Sequence, residues 1–87
     1  MFSIEITQEA ENDLKKLGSQ TTQIIIKKLW AIKENPHHYL ERLQGLTFWK
    51  LRIGDYRLII NTNTKEHRII VIKIGHRKNI YKQLPTS

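Results

Sequence analysis

The stretch from Trp49 to Ile60, WKLRIGDYRLII, holds two alternating apolar–polar runs separated only by Gly54-Asp55. Alternation at period two is the pattern of a half-buried strand. A two-residue loop with glycine first is what a type II′ hairpin turn prefers. A loop that tight fixes the register. Ile53 then faces Tyr56, Arg52 faces Arg57, Leu51 faces Leu58, Lys50 faces Ile59, and Trp49 faces Ile60. One face carries Trp49, Leu51, Ile53, Tyr56, Leu58 and Ile60, which is a core face. The other carries Lys50, Arg52 and Arg57. Two like charges directly opposite cost up to about 1 kcal/mol relative to a neutral pair. The two arginines therefore either splay into water or hold an anion between them. Lys50, one step along the same face, favours the anion.

The other elements follow from similar signals. Phe2 to Ile6 alternates and reads as a strand. Thr7 is placed to cap a helix carrying Ala10, Leu14 and Leu17, with Glu9 and Glu11 near its positive end. Gly18 stops that helix. Ser19 is expected to cap a second one, with Ile25, Ile26, Leu29, Trp30 and Ile32 as its apolar stripe. Asn35-Pro36 ends it, because the residue before proline is pushed out of the helical region. Residues 36–46 read as a connection with at most one helical turn. A second turn over Asn61–Lys65 leads to a third strand, Arg68 to Ile74, which Gly75 is expected to end. In that strand Ile70, Ile72 and Ile74 are expected to face the core, and Lys73 shares the open face with Ile69 and Val71. Apolar residues on an open face point to a partner or to further packing there. Residues 76–84 form a short basic tail or helix. The expected fold is a single α+β domain over residues 1–87: an N-terminal strand, a helical hairpin, then a three-stranded antiparallel meander.

Composition narrows the class. The chain has 87 residues, which is one domain. It has no cysteine, so disulfides, thiolate zinc sites and a thiol nucleophile are excluded. Its apolar runs are too short to span a bilayer, and its N-terminus does not read as a secretory signal. A soluble, cytoplasmic domain with no membrane partner is expected. The charge is segregated. Residues 1–46 hold six bases and six acids, whereas residues 47–87 hold nine bases and two acids. The second half thus carries the whole net charge of +7. A face of that kind suits a polyanion, whose phosphates release counterions when neutralised.

The chemistry must come from that basic half. It contains no carboxylate pair set for acid–base work, and no HExxH, Walker loop or GxSxG occurs. His37 and His38 are adjacent and cannot share one face of a helix or strand, so they read as surface residues rather than metal ligands. Lys65 and Arg68 flank a turn and read as solvated. There remain Lys50, Arg52, Arg57, His76, Arg77 and Tyr81. They offer guanidinium forks for phosphate, groups able to move protons, and a ring for stacking a splayed base. That set suits phosphodiester cleavage in RNA, where the 2′-hydroxyl is a built-in nucleophile. Cationic side chains can stabilise the developing charge, so no metal or other cofactor is required.

KLRIGDYRLII (Lys50 to Ile60), followed by VIKIGHRKNIYK (Val71 to Lys82), resembles the RelE/ParE toxin superfamily, the RelE branch more than the ParE branch. LKKLG (Leu14 to Gly18) and a connection ending in LQGL fit the same pattern. The resemblance implies the toxin of a type II toxin–antitoxin pair: a ribosome-dependent endoribonuclease that cuts messenger RNA in the A site and so inhibits translation. It implies inhibition by an acidic RelB-like antitoxin, with a toxin–antitoxin heterotetramer as one assembly. It assigns catalytic roles to Lys50 (proton donor or charge stabiliser), Arg57 (scissile phosphate), Arg77 (leaving 5′-oxygen) and Tyr81 (stacking or nucleophile contact). His76 stands where the best-studied pattern has a lysine, and histidine titrates near neutrality. Phe48 stands where that pattern has a second lysine. Arg52, Lys73, Lys78 and Lys82 are the expected RNA contacts. The alternative within the superfamily is a ParE-like toxin that poisons DNA gyrase without cutting RNA.

Overall fold

The computed structural model describes residues 1–43 and 47–80. Strand β1 (Ser3–Ile6) leads into helix α1 (Gln8–Leu17) and helix α2 (Ser19–Ala31). A short 3-10 turn (Pro36–His38) and strand β2 (Glu41–Arg42) follow. Strands β3 (Trp49–Ile53), β4 (Tyr56–Asn63) and β5 (Arg68–His76) complete the order. The sheet runs β1-β5-β4-β3-β2. It is mixed, because β1 lies parallel to β5 while the other pairs are antiparallel. Both helices pack on one face, so the α+β expectation holds.

The β3–β4 hairpin has the register that its loop dictates, with Arg52 opposite Arg57 and Lys50 opposite Ile59. Gly54 has φ 57°, and Asp55 is not among the residues with positive φ. That combination is a type II′ turn, since type I′ would need positive φ at both positions.

Thr7 caps α1: its hydroxyl accepts the Ala10 amide at 3.2 Å. The same hydroxyl donates to the Ile72 carbonyl at 3.1 Å, tying the helix start to the sheet. Gly18, at φ 85°, closes α1 and also opens α2. Ser19 is therefore the first helical residue, not the cap. Thr22 completes the junction by donating its hydroxyl to the Leu14 carbonyl at 3.0 Å. In α2, Ile25, Leu29 and Ile32 are buried, but Trp30 is 63% exposed. It lies at the rim of the stripe, where Lys33 sits 3.7 Å over its ring.

Three further expectations change. Within 36–46, Glu41–Arg42 forms an edge strand against Lys50 and Trp49. Gly75 does not end the last strand: it pairs with Arg57, and β5 runs on to His76. A Cβ at Gly75 would meet Ile80 Cδ1 at 3.0 Å, so the glycine leaves room for Ile80 to pack back on the strand. Arg68 is solvent-accessible as expected but not free, because it binds Glu5 at 2.6 Å and Glu66 at 3.0 Å. Those partners, Glu66 first and then Glu5, raise its already high pKa.

The largest correction concerns the faces of β5. Ile59 pairs with Lys73, but Ile60 pairs with Val71, so Ile72 is an extra residue in the ladder. A bulge of this kind reverses the alternation beyond it. Ile69 and Val71 are fully buried in the core cluster, with Leu58, Ile60 and Ile74. Ile70 and Ile72 are only half-buried. The open-face apolar pair expected at Ile69 and Val71 is therefore core. Ile59 and Ile80 are also fully buried, yet lie outside that cluster. The bulged register makes a direct prediction. Ile69→Ala should cost about 2–4 kcal/mol, the range for a large-to-small core change. Ile70→Ala should cost clearly less. Urea unfolding of the two variants reads the difference, and equal losses would place the bulge elsewhere.

Candidate active site

The face of the sheet away from the helices carries the basic group. Lys50 and Arg52 project from β3, and Arg57 from β4. Arg57 is opposite Arg52 and diagonal to Lys50, a spacing of roughly 7–8 Å between Cα atoms. The two arginines do not simply splay. Arg57 Nη1 donates to the Gly54 carbonyl at 2.9 Å and the Tyr56 carbonyl at 3.0 Å. Its guanidinium is thus held over its own hairpin loop. Among the described residues no hydrogen bond uses its remaining N–H groups, which can meet a phosphate. Arg52 is exposed beside it.

Lys50 is half-buried, and its ammonium lies 3.4 Å from Glu41. This contact exists because β2 pairs Glu41 with Lys50. Arg77 follows the end of β5. Its amide donates to the Asp55 carbonyl at 2.8 Å, and its Nε lies 3.7 Å from Asp55 Oδ1. Glu41 and Asp55 are therefore partners of the candidate residues that the sequence reading missed. Asp55 had a weak signal, as the acid in the hairpin loop. Glu41 had none, since its position depends on a two-residue strand.

The other candidates separate from this group. His76 pairs with Tyr56 across the strands, at 5.8 Å between ring centroids. That pair shares its face with Leu58 and Ile74, so His76 is on the helix side, not on the Arg57 side. Its Nδ1 accepts the Lys78 amide at 3.1 Å, which assigns the proton of the neutral ring to Nε2. It opens on a cleft of about 490 Å³ between α1 and the end of β5, lined also by Asp13, Lys16 and Asn79. Lys73 does share the Arg57 face in register, but it is 9% exposed and bound to Glu9 at 2.7 Å. That pair joins α1 to β5 and occupies the ammonium. Lys78 is exposed near the end of the strand. Tyr81 and Lys82 lie outside the described residues. A groove of about 650 Å³ between β1 and the helical hairpin is lined mainly by Ile4, Ile6, Leu14 and Thr22. It is remote from the basic face, so cavity size is no guide to the chemistry here.

The described residues contain no cluster of His, Asp and Glu that could hold a metal. Among them no helix is long and apolar enough to cross a membrane. The arrangement provides a fixed guanidinium, a neighbouring ammonium and a second guanidinium tethered to the same loop. Chemically, such a cluster of cations suits an anion such as a phosphate.

Comparison with known proteins identifies the family to which this fold belongs. Residues 4–81 match the ParE toxins of type II toxin–antitoxin systems, parDE. RelE4 of Methanocaldococcus jannaschii is 30% identical over 88 residues, covering 95% of this chain and 94% of its own. The mRNA interferase toxin RelE of Escherichia coli is 28% identical over 80 residues, covering 88% and 84%. Among solved structures, a chain of the RelBE2 toxin–antitoxin complex from Mycobacterium tuberculosis superposes with TM-score 0.79 at 19% identity. It covers 87% of this chain and 98% of its own. Isolated E. coli RelE gives 0.75 at 21% identity, covering 97% and 100%. At such identities the superpositions establish the fold. With the family match spanning nearly the whole sequence, the chain belongs to the RelE/ParE superfamily of toxins of type II toxin–antitoxin systems.

Proposed function

We propose that this toxin is an mRNA interferase of the RelE kind, a ribosome-dependent endoribonuclease acting in the A site. The observation that carries the reading is the Gly54-Asp55 loop, which holds the Arg57 guanidinium and tethers Arg77 beside it. In the reaction, the 2′-oxygen attacks the adjacent phosphorus and gives up its proton to solvent water. The bond to the 5′-oxygen breaks, leaving a 2′,3′-cyclic phosphate and a protonated 5′-hydroxyl. Arg57 binds the scissile phosphate, and Lys50 stabilises its growing charge or supplies a proton. Arg77 faces the leaving oxygen. Arg52 and Lys78 add phosphate contacts along the strand, and Tyr81 and Lys82 remain assigned by resemblance to stacking and RNA contact. His76, on the far face, and Lys73, bound to Glu9, have no part in this scheme. The ribosome supplies RNA in a geometry suited to in-line attack, so activity on free RNA is expected to be weak.

The test is primer extension on a defined messenger RNA in cell-free translation, with and without ribosomes. Cuts should appear within codons and only with ribosomes. The Arg57→Ala, Arg77→Ala double variant should lose at least about a hundredfold in rate, the scale for removing charge-stabilising donors. Its melting temperature should stay close to that of the parent. A folded double variant that cuts normally would defeat the proposal. Absence of cuts together with inhibited gyrase supercoiling would replace it with the ParE-like activity.

The neighbours solved as RelBE complexes and the basic face together support an acidic, RelB-like antitoxin as partner. Opposite charges at the rim steer such a pair together. A small acidic protein encoded beside this chain should co-purify with it and suppress cleavage. A co-purified complex that still cuts at the full rate would rule out inhibition by masking this face. Sedimentation of the complex would tell a heterodimer from a heterotetramer.

A further inference from the structure

We propose that Asp55 is a positioning residue, whose carboxylate sets where the Arg77 guanidinium stands. This inference rests on the endonuclease reading above. Three consecutive carbonyls around the hairpin loop accept hydrogen bonds from the two arginines. Those of Gly54 and Tyr56 bind Arg57 Nη1, and that of Asp55 binds the Arg77 amide at 2.8 Å. The Asp55 carboxylate then reaches the Arg77 side chain, at 3.7 Å from Nε. One small loop is thus the common mount for both arginines. Arg77 has left the β5 ladder, and residues 77–79 form a turn. Among the described residues, the Asp55 carboxylate is the one partner of its side chain.

Several features argue that this contact serves orientation rather than folding. Both side chains are more than half exposed, 53% for Arg77 and 68% for Asp55. Exposed pairs of this kind add little to stability. The carboxylate also sits where an RNA phosphate must approach, which disfavours binding of the substrate. A surface shaped only for RNA affinity would carry a neutral residue there. The carboxylate lies nearest Nε, at ion-pair rather than hydrogen-bond distance, which leaves the two terminal amino groups of Arg77 to meet a phosphate or leaving oxygen. The acid also offsets repulsion among Arg52, Arg57 and Arg77, which crowd one end of the hairpin.

Affinity and rate should therefore move in opposite directions. The experiment uses the full chain, with single-turnover cleavage of a defined messenger on programmed ribosomes. In parallel, fluorescence anisotropy measures binding of a labelled single-stranded RNA. Asp55→Ala should slow cleavage by about tenfold to a hundredfold, the scale of a misplaced reacting group. Its RNA affinity should be unchanged or higher. Asp55→Asn, which keeps an oxygen acceptor and suits the turn, should recover part of the rate. In an Arg77→Ala background, Asp55→Ala should cause no further loss. A normal rate in Asp55→Ala, a parallel fall in affinity and rate, or additive losses in the double variant would each overturn the proposal. Should the parent chain fail to cut, the endonuclease reading falls, and NMR of the Arg77 Nε–H group judges the contact separately. A signal that shifts and exchanges faster in Asp55→Ala supports positioning. An unchanged signal refutes it.

Discussion

Strand β4 is bonded along both edges, to β3 on one side and β5 on the other. Every other layer takes its place from that strand. Its inner side chains, Leu58 and Ile60, are fully buried and meet the helices' Leu14, Ile25 and Leu29 within one cluster. Its outer face carries Arg57 toward solvent. Because side chains alternate at period two, the register that buries Leu58 also turns Arg57 outward. Core and site are thus set by one ladder, and a slip of a single residue would lose both together.

The same register shapes the basic face. Cationic side chains on a flat sheet would ordinarily repel and sample many rotamers. Here each principal cation has a local counterweight: Glu41 for Lys50, backbone carbonyls for Arg57, and Asp55 for Arg77. The acids reduce the face's net charge but order its geometry. Lys73 shows the opposite outcome. Glu9 at the start of α1 takes hold of its ammonium, so a residue with the right sign and the right face becomes a brace between helix and sheet.

Much of the fold was legible in the sequence, for local reasons. The loop at Gly54-Asp55 leaves one register. Thr7 and Gly18 mark helix ends by chemistry confined to a few residues. The misread parts depend on contacts between distant segments. Ile69, Ile70, Val71 and Ile72 are all β-branched, so nothing in that run distinguishes a regular strand from a bulged one. Strand β2 has two residues and exists through its pairing with β3. The parallel place of β1 beside β5 requires a crossover that no short motif announces. Trp30 sits at the edge of an apolar stripe, where periodicity alone does not tell burial from exposure. The site divides in the same way. Arg52 and Arg57 were readable from the hairpin and Arg77 from the resemblance, while Glu41 and the far-face placement of His76 follow from tertiary pairing.

The extra residue in β5 has a role beyond reversing the alternation. Removing Ile72 would leave Val71 next to Lys73, one facing inward and one outward, as an ordinary strand requires. The sheet alone therefore gains nothing from it. What uses it is the chain end of β1: Thr7 donates its amide to the Val71 carbonyl and its hydroxyl to the Ile72 carbonyl. The bulge works as a bracket, offering two neighbouring acceptors at the spot where the backbone must leave the sheet and begin a helix. A shortened strand would keep its sidedness and lose that corner, leaving the Lys73–Glu9 pair and the Asp13 bond to the Ile74 amide to hold the start of the helical layer against the sheet.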